Sequence, residues 1–240
     1  MRVTIHQPQF MPWLGYLDKV DQADLFLMLD TVQFKKNEWQ NRNRIRTSQG
    51  WQWLTVPVLQ QFGQRIGEVL INPTAIWKVQ HLRALEMHYA RAPYSDRYLP
   101  QLRELYARPW MKLSDLNKVT VQWLLKAYGI LTPVCCASEF AAREEPTDRL
   151  IDLCRAVGAT EYLAGAGAER YMDKPRFEDS GIRLERQTFQ HPSYRQIYEP
   201  FEPNLSALDL LLLQGPEALR TLRHARLVRH SVTTASEEEP

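Results

Sequence analysis

The segment from Arg2 to Asp30 constrains the fold more than any other part of this chain, because it reads as strand, helix, strand. Arg2 to His6 (R-V-T-I-H) is a short apolar run, Trp13 to Ala23 has the length and spacing of a helix, and Leu25 to Leu29 is a second apolar run. Pro8, Pro12 and Gly15 punctuate the turn between the first strand and the helix. In open α/β sheets a ligand sits beyond the carboxyl ends of the strands. The loops after Ile5 and after Asp30 are therefore expected to face one crevice, and both carry unusual residues.

Beyond Asp30 the alternation continues. Trp51 to Val58 and Arg65 to Ile71 read as strands, and from Pro73 the pattern turns helical over A-I-W-K-V-Q-H-L-R-A-L-E-M-H-Y-A. Helices are expected from Pro73 to Arg91, Asp96 to Ala107 and Ser114 to Tyr128, the last capped by Ser114 and stopped by Gly129. Val134 to Ala137, Glu161 to Ala164 and Ile182 to Phe189 read as further strands, with a helix from Thr147 to Val157. Ser206 to Leu213 reads as a late helix, although its leucines also suit a buried strand. The expected fold is α/β and Rossmann-like. A mostly parallel sheet carries a helical insertion at about residues 73–130, all in a single domain spanning 1–230, with 231–240 a disordered acidic tail.

The blocks I-H-Q-P-Q-F-M-P-W-L-G-Y (Ile5 to Tyr16), D-T-V-Q-F-K-K (Asp30 to Lys36), W-Q-N-R-N-R-I (Trp39 to Ile45) and W-L-T-V-P-V (Trp53 to Val58) occur in the order found in one bacterial family. T-E-Y-L-A-G-A-G-A (Thr160 to Ala168) and F-E-P-N-L-S-A-L-D-L-L (Phe201 to Leu211) continue the match. Over nearly its whole length the chain resembles the WbqC-like family. Such proteins are associated with surface-polysaccharide and natural-product gene clusters, so the resemblance implies a biosynthetic role. It also marks His81 as a recurrent position.

Composition excludes several alternatives. No apolar run approaches the length of a membrane span, and Gln7, Pro8, Gln9 and Pro12 interrupt any signal-peptide core. A soluble, cytoplasmic protein is expected. The net charge of +2 provides no global field for nucleic acid, which is disfavoured as a partner, so any anion must be caught locally. Of the three cysteines, Cys135 and Cys136 are adjacent and point to opposite faces of a strand, which suits core residues better than a shared metal.

Two clusters can carry chemistry. The first turn, with His6, Gln7, Trp13 and Tyr16, lacks G-x-G-x-x-G and G-x-x-x-x-G-K-[ST], so ordinary dinucleotide and P-loop binding fail. The second, from Asp30 to Arg46, is locally basic. Lys35, Arg42 and Arg44 suit phosphate, Gln33, Asn41 and Asn43 can read a sugar or base edge, and Trp39 offers a stacking face. Asp30 ends a strand, where a carboxylate acts as a general base or as a turn cap. His81 and His88 are seven apart with no carboxylate or thiol in register, so no metal set is marked. Asn204 and Ser206 suit helix capping, and no G-x-S-x-G elbow is present.

The reading that joins these features is a transferase for a phosphorylated small molecule. It moves an acyl or aminoacyl group to the amine of a nucleotide-activated amino sugar or a related compound, with His6, Asp30 or His81 taking the ammonium proton. Gln7, Gln33, Lys35, Trp39, Asn41, Arg42, Asn43 and Arg44, with Trp13 and Tyr16, bind the substrate. The alternatives are ATP-dependent activation with nucleotidyl transfer, and a noncatalytic protein that binds a pathway partner. Neither cofactor nor oligomeric state is legible.

Overall fold

The computed structural model describes residues 1–165, 167 and 172–235. Its centre is a five-stranded, all-parallel sheet of β1 (Arg2–His6), β2 (Leu25–Met28), β7 (Val134–Cys136), β8 (Glu161–Ala164) and β9 (Arg183–Arg186), in the order β7-β2-β1-β8-β9. β1 is central because R-V-T-I-H and L-F-L-M bury side chains on both faces, as parallel strands covered by helices must. Helix α1 (Leu14–Asp21) crosses from β1 to β2, and α5 (Pro146–Ala156) leads from β7 to β8.

One core lies on each side of the sheet. Val3, Ile5 and Leu27 pack with Leu150, Ile151, Tyr162 and Phe177 from α5, β8 and α6 (Lys174–Asp179). Phe26 and Met28 face the other way, onto α1 and a larger cluster. That cluster includes the helices between β2 and β7: α2 (Trp77–Tyr89), α3 (Ser95–Ala107) and α4 (Leu113–Tyr128). Gly129 closes α4 in the left-handed conformation (φ 80°), as expected of a glycine C-cap. The chain ends on α7 (Leu208–Gln214) and α8 (Ala218–Ala235). Of the tail expected at 231–240, residues 231–235 instead continue α8, and 236–240 lie outside the described residues.

Several expectations need correction. Arg42 to Thr47 is a strand, β3, paired antiparallel with β4 (Gly50–Thr55), although R-N-R-I-R-T reads as a basic loop. Its arginines are tolerated because they stack on tryptophans or donate to main-chain carbonyls. The strand expected from Trp51 to Val58 ends at Thr55, and Val58–Leu59 forms a separate short strand, β5, paired with β6 (Leu70–Ile71). Of the Arg65 to Ile71 run only Leu70–Ile71 is strand, and Ile66–Glu68 is a 3-10 turn. Ser114 is not the cap of α4, because Lys112 stays extended in a bridge with Leu70 and the helix starts at Leu113. The first helix of the insertion starts at Trp77 rather than Pro73. Beyond Arg186 the chain leaves the sheet, so Gln187 to Phe189 turn towards the crevice. Cys135 and Cys136 are only half-buried, since β7 is an edge strand. Ser206 Oγ does accept from Leu208 N–H at 3.3 Å, at the entry to α7.

Candidate functional site

The chain builds the sheet outwards from β1 through β2 to β7, then crosses back to β8 and β9, so the order reverses between β1 and β8. At the carboxyl ends of these two strands lies a cavity of about 640 Å³. β1 contributes Ile5 and His6, the turn and α1 contribute Gln7, Gln9, Trp13, Tyr16 and Lys19, and β8 leads into it at Gly165. Gln187 and Phe189 close one side, and Lys35, Glu38, Trp39, Gln40 and Arg149 complete the wall.

Lys19 is the most deeply buried cation of the cavity wall. Its side chain is 2% exposed, and Nζ donates to the Ile5 carbonyl at 3.1 Å. Among the described residues no carboxylate pairs with it, because neighbouring Asp18 is turned to Gln22, Gln187 and Arg226. Burial pushes the Lys19 ammonium down to about 7. Gly165 packs close to the amine: a Cβ there would stand 3.7 Å from Nζ, in van der Waals contact.

His6 is neutral beside it. Nδ1 lies 2.9 Å from the Gln7 carbonyl, which can only accept, so the ring proton is on Nδ1 and Nε2 keeps its lone pair. Burial first, and the Lys19 charge second, push the imidazole down to about 3. The Tyr16 ring meets it edge-on at 5.0 Å. Amide side chains line the rest. Gln40 donates to Gln7 Oε1 at 2.7 Å and accepts from the Lys35 N–H at 3.0 Å, whereas the buried Gln9 Oε1 has no partner among the described residues. A free buried acceptor on a cavity wall is open to a ligand O–H or N–H.

Of the residues singled out from the sequence, the structure brings His6, Gln7, Trp13, Tyr16, Lys35 and Trp39 together in the cavity wall. The others lie outside that wall. Asp30 accepts from Ser138 N–H at 3.0 Å and Oγ–H at 2.6 Å, tying the ends of β2 and β7 together. His81 is buried between the Tyr106 hydroxyl and the Thr55 carbonyl. Asn41 donates to the Val56 carbonyl, Asn43 to the carbonyls of Phe10 and Met11, and Gln33 bridges to Arg65. Arg44 donates to the Asn204 carbonyl, and Arg42 stacks over Trp53. Lys19, Gln9, Gln40, Arg149, Gln187 and Phe189 were not picked out from sequence. A lysine is ordinarily left at the surface, but α1 is buried on every side from Leu14 to Val20.

A doubly wound parallel sheet with a polar, cation-bearing cavity at its switch point defines a Rossmann-like α/β protein. The model of the WbqC-like protein family matches residues 7–221, and the chain belongs to that family. It is 37% identical over 229 residues to the "Uncharacterized protein Rv1507c" of Mycobacterium tuberculosis, covering 94% of this chain and 99% of that one. No solved structure matches it. Among the described residues no helix is long and apolar enough to cross a membrane.

Proposed function

We propose that the cavity is the active site of a transferase that acts on a phosphorylated small molecule, moving an acyl or aminoacyl group onto the amine of a nucleotide-activated amino sugar or a related compound. The observation that carries this reading is Lys19, a buried amine at the switch point of the sheet that has no carboxylate partner among the described residues. A base whose pKa lies near the working pH is suited to take the proton that an acceptor ammonium must lose before it attacks an acyl carbon. Lys19 receives that proton, the amine's freed lone pair forms the new C–N bond as the bond from the acyl carbon to the donor's leaving group breaks, and the second N–H proton is carried off by that leaving group. His6 Nε2, bare and neutral, accepts a hydrogen bond and holds the amine or a neighbouring hydroxyl in line.

The remaining walls suit the rest of the substrate. Lys35 and Arg149 are cations at a cavity whose only lining carboxylate among the described residues is Glu38, which favours an anionic group. Gln7, Gln9 and Gln187 present amides to sugar hydroxyls, and Trp13, Trp39 and Phe189 present apolar faces. The test is thermal stabilisation by amino-sugar nucleotides, ATP with magnesium, and acyl-CoA, followed by mass spectrometry for an acylated product. Stabilisation by the sugar nucleotides that Lys19→Met leaves intact, with loss of product, supports the reading. Stabilisation by ATP and magnesium alone, with pyrophosphate released, replaces it with the activation reading.

A further inference from the structure

Three arginines of β3, Arg42, Arg44 and Arg46, alternate with Asn43 and Ile45 and so share one face of the β3–β4 hairpin with Trp51 and Trp53. The three are used differently. Arg46 is 2% exposed and donates to four carbonyls, those of Thr47, Gly50, Tyr198 and Pro200. Arg44 donates to the Asn204 carbonyl at 3.2 Å and lies 3.9 Å from Glu202. Both therefore fasten the segment before α7 onto the hairpin. Arg42 has no such duty: its Nε is buried and unpaired, as are those of Arg44 and Arg46, but among the described residues nothing accepts a hydrogen bond from any part of its guanidinium. It lies over the Trp53 ring at 4.1 Å.

Stacking fixes a guanidinium in one plane while its N–H edges stay available, which is the presentation that phosphate oxygens require. Continuity with the cavity supplies the second observation. Trp53 packs at 5.6 Å, ring centroid to ring centroid, against Trp39, and Trp39 is itself part of the cavity wall. Beyond Trp39 stand Arg44, 5.7 Å over its ring and already committed to Asn204 and Glu202, and Arg42 over Trp53, which has no such commitment.

We infer that Arg42, Trp53 and Trp39 form an outer subsite that holds the diphosphate of a nucleotide-linked substrate, with the base against Trp39 and the sugar inside the cavity. This inference rests on the transferase reading for what fills the cavity, and adds where the nucleotide lies. It separates Arg42, a specificity residue, from Arg44 and Arg46, which hold the fold.

The experiment titrates the full chain with UDP, TDP, GDP, CDP, ADP and inorganic pyrophosphate, reading tryptophan fluorescence and heat. At least one nucleoside diphosphate is expected to bind, with pyrophosphate weaker. Arg42→Met is expected to weaken that binding tenfold or more at unchanged melting temperature, and Arg42→Lys to recover only part of it. Binding of no diphosphate, or equal binding by Arg42→Met, overturns the subsite. The two readings fail separately. If Arg42→Met loses the nucleotide while no acylated product forms even with native protein, the subsite stands and the transferase falls. If product forms with unaltered KM in Arg42→Met, the transferase stands and the subsite falls.

Discussion

Gln187 donates from one side-chain amide to Asp18 Oδ2 at 2.6 Å and to the Gly15 carbonyl at 2.8 Å, so the segment after β9 is tied to the first turns of α1. The same Asp18 accepts from Arg226 of α8, which links the last helix to the helix that carries Lys19. Gln187→Leu removes the donor from two buried acceptors and is expected to lower stability by about 1–3 kcal/mol in urea unfolding. Arg226→Met leaves the buried Asp18 carboxylate without its counter-charge and is expected to cost more, about 3 kcal/mol or above. Equal, negligible costs for both would mean that this latch does not hold α1.

Lys19 makes stability depend on pH in a direction opposite to a paired lysine. Its pKa falls from 10.5 to about 7 on folding, so between those values the unfolded chain holds a proton that the folded chain does not. Its contribution is therefore complete above 10.5 and is lost as pH falls through that window. His6 acts alike lower down, between 6.5 and about 3, where the unfolded chain again binds the extra proton. Lys19→Met is expected to flatten the upper limb of a stability profile measured by denaturant unfolding from pH 6.5 to 10. It also raises stability at pH 6.5 by about 2 kcal/mol or more, since a buried charge is removed. An unchanged profile would place the Lys19 pKa near its ordinary value and remove its role as a base at neutral pH.

The sheet was legible because parallel strands buried on both faces announce themselves as apolar runs such as L-F-L-M, and Gly129 stopped a helix where its conformation allows. The β3 strand was not, because its signal is inverted: arginines occupy alternate positions, and only the tryptophans of β4 and the carbonyls of Tyr198 and Pro200 make that face stable. The cavity was legible in part. His6, Gln7, Trp13 and Tyr16 sit on the strand-to-helix turn and carry a local pattern, whereas Gln187 and Arg149 arrive from far along the chain with none. Lys19 is the informative miss. Nothing in L-G-Y-L-D-K-V says that α1 is covered on every side, because the segments that cover it, the sheet, Gln187 and Arg226, come from elsewhere in the chain.

His81 illustrates the opposite case, a residue whose type points to chemistry and whose surroundings point to structure. Nε2 donates to the Thr55 carbonyl at 3.1 Å, leaving Nδ1 to accept from the Tyr106 hydroxyl at 3.3 Å, and burial pushes the imidazole down to about 4. Trp77 packs edge-on against it at 5.2 Å. His81→Leu is expected to cost about 1–3 kcal/mol of stability by leaving the Thr55 carbonyl unpaired, with kcat and KM within a factor of two of native. A tenfold loss of kcat in a folded variant would return His81 to the catalytic set.

Gly15 gives the sharpest steric test of the cavity wall. A Cβ at this position would stand 2.4 Å from the Trp13 ring, whose indole lies across the first turn of α1 and meets Phe189 edge-on at 5.3 Å. Backbone conformation is not the constraint here, because Gly15 is an ordinary helical residue and alanine favours a helix. The new methyl instead forces Trp13 to move, and with it the Trp13–Phe189 side of the cavity. Gly15→Ala is therefore expected to lose about 1–3 kcal/mol of stability despite its better helix propensity. The cavity ligand should bind at least tenfold more weakly, and Trp13→Phe, which keeps an aromatic face but shortens it, should recover part of both losses in the double variant. If Gly15→Ala were instead stabilised and bound ligand normally, Trp13 would not be held as the structure places it, and the aromatic wall would have to be drawn from Trp39 and Phe189 alone.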